Sequence, residues 1–352
     1  MTIRFGIAGC GMIAGFHARA LAEVEGAELV ACTSRNPASA ERFAGEHHCQ
    51  SHSSLTRMLD QASPEAVCIC TPSGAHLDPA LEVAAAGRHL VIEKPLEITP
   101  ARCDRIIQAC RDHDVRLATI FQSRFHPAAQ AIKQAVQRNR LGTLAIGSAA
   151  VKWHRSQEYY DSGAWRGTRD LDGGGALMNQ AIHTVDLLQW IMGPVREVSA
   201  FATTRSHERI EVEDTLVAAL EFANGALGTI EATTSAWPGW QKRIEICGSA
   251  GSVRIEDETI ERWELEKPAD NDPNPARISP ADDGLTGGAT DPSSIGHAAH
   301  RMQLQNFVDT LRGQGELLVD GSEGRKSVGI ISAVYESVRK QRPVTPDEAG
   351  AP

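Results

Sequence analysis

The sequence predicts an α/β protein: a doubly wound parallel sheet comes first, and an α+β domain with a large, mostly antiparallel sheet follows. Three features point there. The first third alternates short apolar runs with helical stretches, a βαβα rhythm that builds a parallel sheet covered by helices. After about Gln122 that rhythm gives way to successive alternating strands with no helices between them, which pair antiparallel. At 352 residues the chain also exceeds what one ordinary hydrophobic core encloses. The expected domains are residues 1–121 and 122–352.

In chain order, the apolar run at 4–8 is expected as a strand. Residues 13–24 follow as a helix, because their apolar positions recur at helical spacing. Strands are then expected at 28–33, 66–71, 90–92 and 116–121, with helices at 38–45, 55–60, 79–86 and 101–112 between or after them. In the second domain a helix at 128–138 leads into a strand at 145–154. A loop rich in Tyr, Trp and Gly precedes a helix at 176–192. Alternation then predicts strands at 195–205, 215–222, 226–234, 243–247, 252–256 and 260–266. Asn224-Gly225 and Gly248-Ser249-Ala250-Gly251 serve as turns. Residues 268–294, rich in Pro, Asp, Asn and Gly without periodicity, read as a long loop. Helices at 297–312 and 323–341 close the chain.

Hydrophobic content of 41% and charged content of 23% are ordinary for a soluble globular protein. A net charge of −10 and the absence of basic stretches interleaved with aromatics argue against nucleic acid as a partner. No apolar stretch has the length of a membrane span, and the N-terminus lacks the order of a signal peptide. The 8 cysteines are scattered, with no Cys-x-x-Cys pair, so a disulfide framework is not expected and a cytoplasmic setting is.

Gly9-Cys10-Gly11-Met12-Ile13-Ala14 is a G-x-G-x-x-A between a strand and a helix. Gly9 permits the tight turn, Gly11 lets backbone approach a pyrophosphate, and Ala14 allows close helix–strand packing, with the helix N-terminus facing the phosphates. A dinucleotide is therefore expected. The second strand ends in Thr33-Ser34-Arg35-Asn36, without the carboxylate that would bond the ribose of NAD. Ser34 and Arg35 suit a 2′-phosphate, so NADP is expected to be preferred, with NAD possible. Thr71-Pro72-Ser73-Gly74-Ala75-His76 follows the third strand, at the carboxyl edge where ligands bind in such sheets. Glu93-Lys94-Pro95 ends the 90–92 strand at the same edge, which places Lys94 for chemistry.

In Asp172-Gly173-Gly174-Gly175…Asn179…His183, the glycines mark a tight turn or a close approach. Asn179 and His183 are four apart, so on a helix they share a face bordering the apolar stripe Met178, Ile182, Val185 and Leu188. Asn is a poor transition-metal ligand, and no metal is expected.

Taken together, these segments resemble the family of glucose–fructose oxidoreductase, inositol dehydrogenase and MocA, over essentially the whole chain. The resemblance implies an N-terminal Rossmann domain and a C-terminal domain whose open sheet builds a homodimer or homotetramer. It implies NAD(P)-dependent hydride transfer at a secondary alcohol or ketone of a sugar, cyclitol or related carbohydrate. Lys94 corresponds to the family's lysine near nicotinamide and substrate, and His183 to its acid–base candidate. Asn179 stands where the family often has Asp, which favours orientation of a hydroxyl over proton relay. The expected cofactor shell comprises Gly9, Gly11, Met12, Ile13, Ser34, Arg35, Thr71, Pro72, His76, Glu93, Lys94, Gln122, Trp165 and Arg166. Lys94, Arg124, Trp153, Asn179, His183 and His300 are the expected substrate contacts. Some relatives are glycosidases that use NAD transiently, and others are non-catalytic sensors; both remain alternatives at this point.

Overall fold

The computed structural model describes residues 2–269, 272, 278 and 296–348. The described chain divides into two compact units. One runs up to Gln122 and regains Gly296–Arg325; the other begins at Ser123 and resumes at Lys326. The first division thus lies between Gln122 and Ser123, and neither unit is contiguous in sequence. Helix Ala298–Leu311 buries Leu304, Phe307 and Val308 in the same core as Phe5, Ile7 and Leu21. Its Gln303 amide also donates to Thr119 O and accepts from Phe121 N, at 2.7 and 3.0 Å. Helical periodicity shows that such a segment has an apolar face, not which core will take it.

In the first unit, β1 (Ile3–Ala8), α1 (Met12–Glu23), β2 (Ala27–Thr33), α2 (Pro37–His47), β3 (Gln50–His52), α3 (Leu55–Gln61) and β4 (Ala66–Ile69) follow one another. Then come α4 (Leu77–Ala85), β5 (His89–Ile92), α5 (Pro100–Asp112) and β6 (Leu117–Thr119). The strands pair in parallel in the order β3-β2-β1-β4-β5-β6. β3 was not expected. It is a three-residue edge strand, Gln-Ser-His, with no apolar pattern to betray it. The strand order reverses beside β1, so a crevice at its carboxyl end is the place where such sheets take ligands.

In the second unit, α6 (Pro127–Gln137), β7 (Leu144–Lys152) and a short α7 (Gln157–Asp161) precede a π-helical segment, Ala176–Ala181, which continues as α8 (Ile182–Met192). β8 (Val195–Thr203), β9 (Thr215–Phe222), β10 (Leu227–Thr233), β11 (Arg243–Gly248), β12 (Gly251–Glu256) and β13 (Thr259–Leu265) complete a seven-stranded sheet. Its order is β13-β12-β11-β7-β10-β9-β8, and only β7 and β10 pair in parallel. The single helix expected at 176–192 is thus two kinds of helix joined end to end.

The π-helical segment and α8 cover one face of this sheet through Met178 and through Ile182, Val185 and Leu188, all buried as their spacing predicts. At Gly147 on β7 an added Cβ would lie 2.9 Å from Met192 Cγ, so glycine there lets the helix close on the strand. The opposite face leaves Ile146, Phe201, Val217 and Leu227 exposed. Helix Gly321–Lys340 ends the described fold, and most of the loop expected at 268–294 lies outside the described residues. No helix among the described residues is long and apolar enough to cross a membrane.

Candidate active site

At the β1–α1 turn, Gly9 adopts φ +96°. A Cβ there would lie 2.7–2.9 Å from Cys70 O, Cys70 C and Thr71 N, so both conformation and space require glycine. Gly11 is different: its backbone is ordinary, at φ −86°, and a Cβ would meet nothing within 4 Å. It opens α1 without a side-chain cap, which leaves the first N–H groups of that helix to an outside acceptor. Ala14 is fully buried, while Met12 is 53% exposed, unusual for so apolar a side chain. Gln122 holds a buried side-chain oxygen with no protein donor. An uncapped helix end, open space over Gly11 and an unused buried acceptor together fit a dinucleotide held by Gly9, Gly11, Met12, Ile13 and Gln122.

At the end of β2, Ser34 Oγ accepts from Asn36 N at 3.4 Å, and Asn36 caps α2 by accepting from Ala38 N at 3.1 Å. Arg35 is exposed.

Pro72 leads a single 3₁₀ turn, and Thr71 Oγ1 donates to Ala75 O at 2.9 Å. His76 corrects an expectation. It is 1% exposed, and its ring nitrogens lie 2.9 Å from Pro95 O and 2.9 Å from Thr71 O. Burial holds its imidazole below the ordinary value. Both ring nitrogens face backbone carbonyls of the protein, and the one that carries the proton donates to its carbonyl, so neither nitrogen is directed to a cofactor.

Lys94 is half-buried and followed by a cis peptide to Pro95. Its N–H donates to Glu93 Oε2 at 3.1 Å. Glu93 Oε1 faces His17 Nε2 at 2.7 Å and His300 Nε2 at 3.5 Å. Burial would push the Glu93 carboxyl up, but the hydrogen bonds and charges of His17 and His300 outweigh it and hold the group well below the carboxylate range. His17 sits well above its ordinary value despite complete burial, beside the Cys70 and Cys68 thiols and the Glu93 carboxylate. The expected substrate contact His300 is therefore 2% exposed and committed to a buried carboxylate. Ligand atoms of His17, Glu93 and His300 all lie within 4.8 Å of one another, which would admit a cation by distance. The second nitrogen of His17, Nδ1, is buried without a hydrogen-bond partner, however, and so lacks the carboxylate or carbonyl that orients a metal-bound imidazole. The trio is better described as an ion-paired anchor beneath Lys94.

In the second unit the π-helical segment presents Asn179, and α8 begins one residue before His183. The Asn179 amide donates to the buried Asp172 carboxylate, whose other oxygen accepts from Gly167 N at 2.8 Å. Asn179 Oδ1 accepts from Gln180 at 2.7 Å, and Gln180 Oε1 accepts from Arg155 at 2.8 Å. A polar chain from guanidinium to carboxylate thus fixes which way the Asn179 amide points. Arg166 lies 4.2 Å over the Tyr159 ring and 4.6 Å over Trp165, and donates to Tyr159 Oη at 2.6 Å. Trp153 lies under Arg155 at 5.0 Å, with its indole N–H buried and lacking a protein acceptor.

Arg124 is a further correction. It is fully buried and donates from Nε and Nη2 to the two oxygens of Asp186, each at 2.7 Å; the Ser327 hydroxyl donates to the same carboxylate at 3.0 Å. A guanidinium so engaged holds the fold together and is not available to a substrate. Sequence reasoning also passed over Glu213, which lies directly beneath the glycine run: its carboxylate accepts from Gly175 N at 3.1 Å and Leu177 N at 2.9 Å. Its only signal was an acidic pair, Glu213-Asp214, ahead of an alternating strand.

Residues 3–121 match the model of an oxidoreductase family with an NAD-binding Rossmann fold, and residues 129–254 match the GFO/IDH/MocA C-terminal domain. The chain belongs to the GFO/IDH/MocA oxidoreductase family. Among its relatives, the crystal structure of the WlbA dehydrogenase from Bordetella pertussis, in complex with NADH and UDP-GlcNAcA, is 36% identical. It covers 98% of this chain and 97% of that one, with a TM-score of 0.89. The WlbA dehydrogenase from Chromobacterium violaceum, in complex with the same two ligands, is 35% identical over 98% of this chain and 96% of that one, with a TM-score of 0.86. Inositol 2-dehydrogenase of Rhizobium meliloti (strain 1021) is 26% identical over 350 residues, covering 98% of this chain and 99% of its own. As a GFO/IDH/MocA oxidoreductase, the chain has both its Gly9–Gly11 turn and its Glu93-Lys94-Pro95 segment within the residues that match the NAD-binding Rossmann model.

Proposed function

We propose that this oxidoreductase transfers hydride between NAD and a secondary alcohol of a UDP-linked sugar. One observation supports this substrate class above a cyclitol: the two relatives bound to NADH and UDP-GlcNAcA are 36% and 35% identical over 98% of the chain, against 26% for the inositol 2-dehydrogenase. The expectation of NADP preference rests on Ser34 and Arg35; the NADH in both relatives favours NAD, and we take NAD as the working cofactor, with any NADP affinity set by Arg35.

When bound, the nicotinamide supplies the hydride acceptor, or the donor in reverse. The protein's part is proton handling and charge stabilisation. His183 takes the hydroxyl proton, since an imidazole titrates near neutral pH. The Lys94 ammonium, on a loop anchored through Glu93, supplies positive charge to stabilise negative charge that develops on the substrate. Asn179, oriented by Asp172 and Gln180, hydrogen-bonds a neighbouring hydroxyl. Trp153, Trp165 and Arg166 are proposed to line the sugar or cofactor.

The exposed apolar face of the second unit supports a homodimer or homotetramer, in which Phe201 and Val217, paired across β8 and β9, are covered by another copy. A cytoplasmic location is proposed on the eight free thiols. The test is turnover, followed at the absorbance of the reduced nicotinamide, across UDP-sugars, free sugars and inositols with NAD and NADP. UDP-sugars with NAD should lead. A lead by inositols, or no turnover with any UDP-sugar, overturns the substrate class.

A further inference from the structure

Gly174 and Gly175 make room for groups of the protein itself. A Cβ on Gly175 would lie 1.7 Å from Glu213 O, and one on Gly174 would lie 2.1 Å from Tyr335 Oη. Both approaches serve the same end. The π-helical segment begins with no side-chain cap, so its first N–H groups need acceptors. Glu213 supplies three of them. Its carboxylate takes Gly175 N and Leu177 N, and its own carbonyl takes Ala176 N at 3.0 Å. Tyr335, from helix Gly321–Lys340, donates its hydroxyl to Oε1 of the same carboxylate at 3.1 Å.

We infer that Glu213 is the positioning residue of the helix that carries Asn179 and leads into His183, and that Tyr335 tunes it. The inference rests on the proposal above that Asn179 and His183 serve the reaction. Glu213 touches neither; it acts by fixing three consecutive N–H groups at the start of their helix. An ionised carboxylate accepts all of its donors at once, whereas a protonated one must place a hydrogen among them.

Burial pushes the Glu213 carboxyl up to about 7, against the backbone N–H groups and the Tyr335 hydroxyl that draw it down. The other titratable groups around it do not replace it as acceptors. Tyr335 is itself raised by burial and by Glu213, and the Tyr160 hydroxyl on α7 is raised by burial and by its neighbours, including Asp172 and Glu213. Asp214 turns instead to the N–H groups of Arg205, Ser206 and His207. The helix is therefore held by a carboxylate above about pH 7 and by a carboxylic acid below it.

The test uses the full-length protein, with hydrogen exchange across 175–183 and kcat with NAD and UDP-GlcNAcA both read between pH 5.5 and 9 as working limits. In the wild type, protection beyond the intrinsic pH effect and kcat should both rise with a midpoint near Glu213's value. Tyr335→Phe removes a donor that favours the ionised form, so both midpoints should move up by roughly one pH unit. Glu213→Gln should abolish the exchange transition and lower plateau kcat about tenfold or more, with NAD affinity within about twofold of wild type.

A Glu213→Gln protein that keeps the wild-type transition refutes the inference. So does Tyr335→Phe if it lowers kcat evenly without moving either midpoint, as loss of packing alone would. Exchange is read without turnover, so it tests Glu213 whichever sugar is the substrate. Full activity in His183→Ala would instead overturn the catalytic reading beneath it.

Discussion

Replacing Gly9 and Gly11 separately by alanine should produce opposite phenotypes. At Gly9 the methyl group meets Cys70 O, Cys70 C and Thr71 N at 2.7–2.9 Å, all backbone, in a conformation with φ +96°. The conformation costs about 1–2 kcal/mol, and the overlap at the β1–β4 edge adds about 1–3. A loss of about 2–5 kcal/mol corresponds to a fall in Tm of roughly 5–15 °C for a unit of this size. At Gly11 the backbone is ordinary and no atom lies within 4 Å of the new methyl, so Tm should hold within about 2 °C. The methyl instead projects where phosphate must reach the uncapped N–H groups. Losing one charge-assisted hydrogen bond there costs about 1.5–3 kcal/mol, or at least a tenfold rise in Kd for NAD. Thermal denaturation and fluorescence titration with NAD measure the two effects. A Gly11→Ala protein that binds NAD like the wild type, or melts as early as Gly9→Ala, would refute the assignment of the cradle.

Other expectations follow from single contacts. Arg124→Ala takes the guanidinium from the buried Asp186 carboxylate, to which Ser327 also donates, and should cost about 3–5 kcal/mol in denaturant unfolding. An unchanged unfolding midpoint with weakened substrate binding would return Arg124 to the substrate site. The Asp214 carboxyl is drawn down from 3.8 to about 2: the backbone N–H groups of Ser206 and Arg205, with His207 and Thr215, outweigh burial, which acts the other way. Its folded value lies below the unfolded one, so its stabilisation, about 2 kcal/mol, is present above pH 4 and lost as pH falls toward 2. Asp214→Asn should melt lower at pH 7 and lose part of the acid sensitivity in that window, as read by Tm against pH. Arg35→Ala should weaken NADP roughly tenfold and leave NAD nearly unchanged, measured by titration with each cofactor.

The parts of the site that were legible in the sequence are those whose chemistry is local. Gly9 and Gly11 declare themselves because strand, turn and helix are contiguous, and Lys94 because a short apolar run ends at it beside a proline. The assignments that changed concern what a polar group bonds at long range. His76, Arg124 and His300 have the right chemistry and sit near the right edge or loop. Their ring nitrogens and guanidinium are nevertheless spent on Pro95 O, Asp186 and Glu93, which no spacing rule reveals. The return of helix Ala298–Leu311 to the first unit escaped for the same reason, since its partners Phe5 and Ile7 lie at the other end of the chain. The π-helical segment has no sequence period of its own over so few residues. The carboxylate from a distant loop that caps its start at Gly175 and Leu177 became visible only with the fold.

The most direct measurement follows the hydride itself. UDP-GlcNAcA deuterated on its ring carbons is incubated with the full-length enzyme and NAD, and both products are examined by mass spectrometry. One deuterium in the reduced nicotinamide, with a keto-sugar nucleotide three mass units lighter than the deuterated substrate (one deuteride and one proton lost), is the predicted result. No deuterium on the nicotinamide, or release of free sugar with the cofactor unchanged, would contradict it.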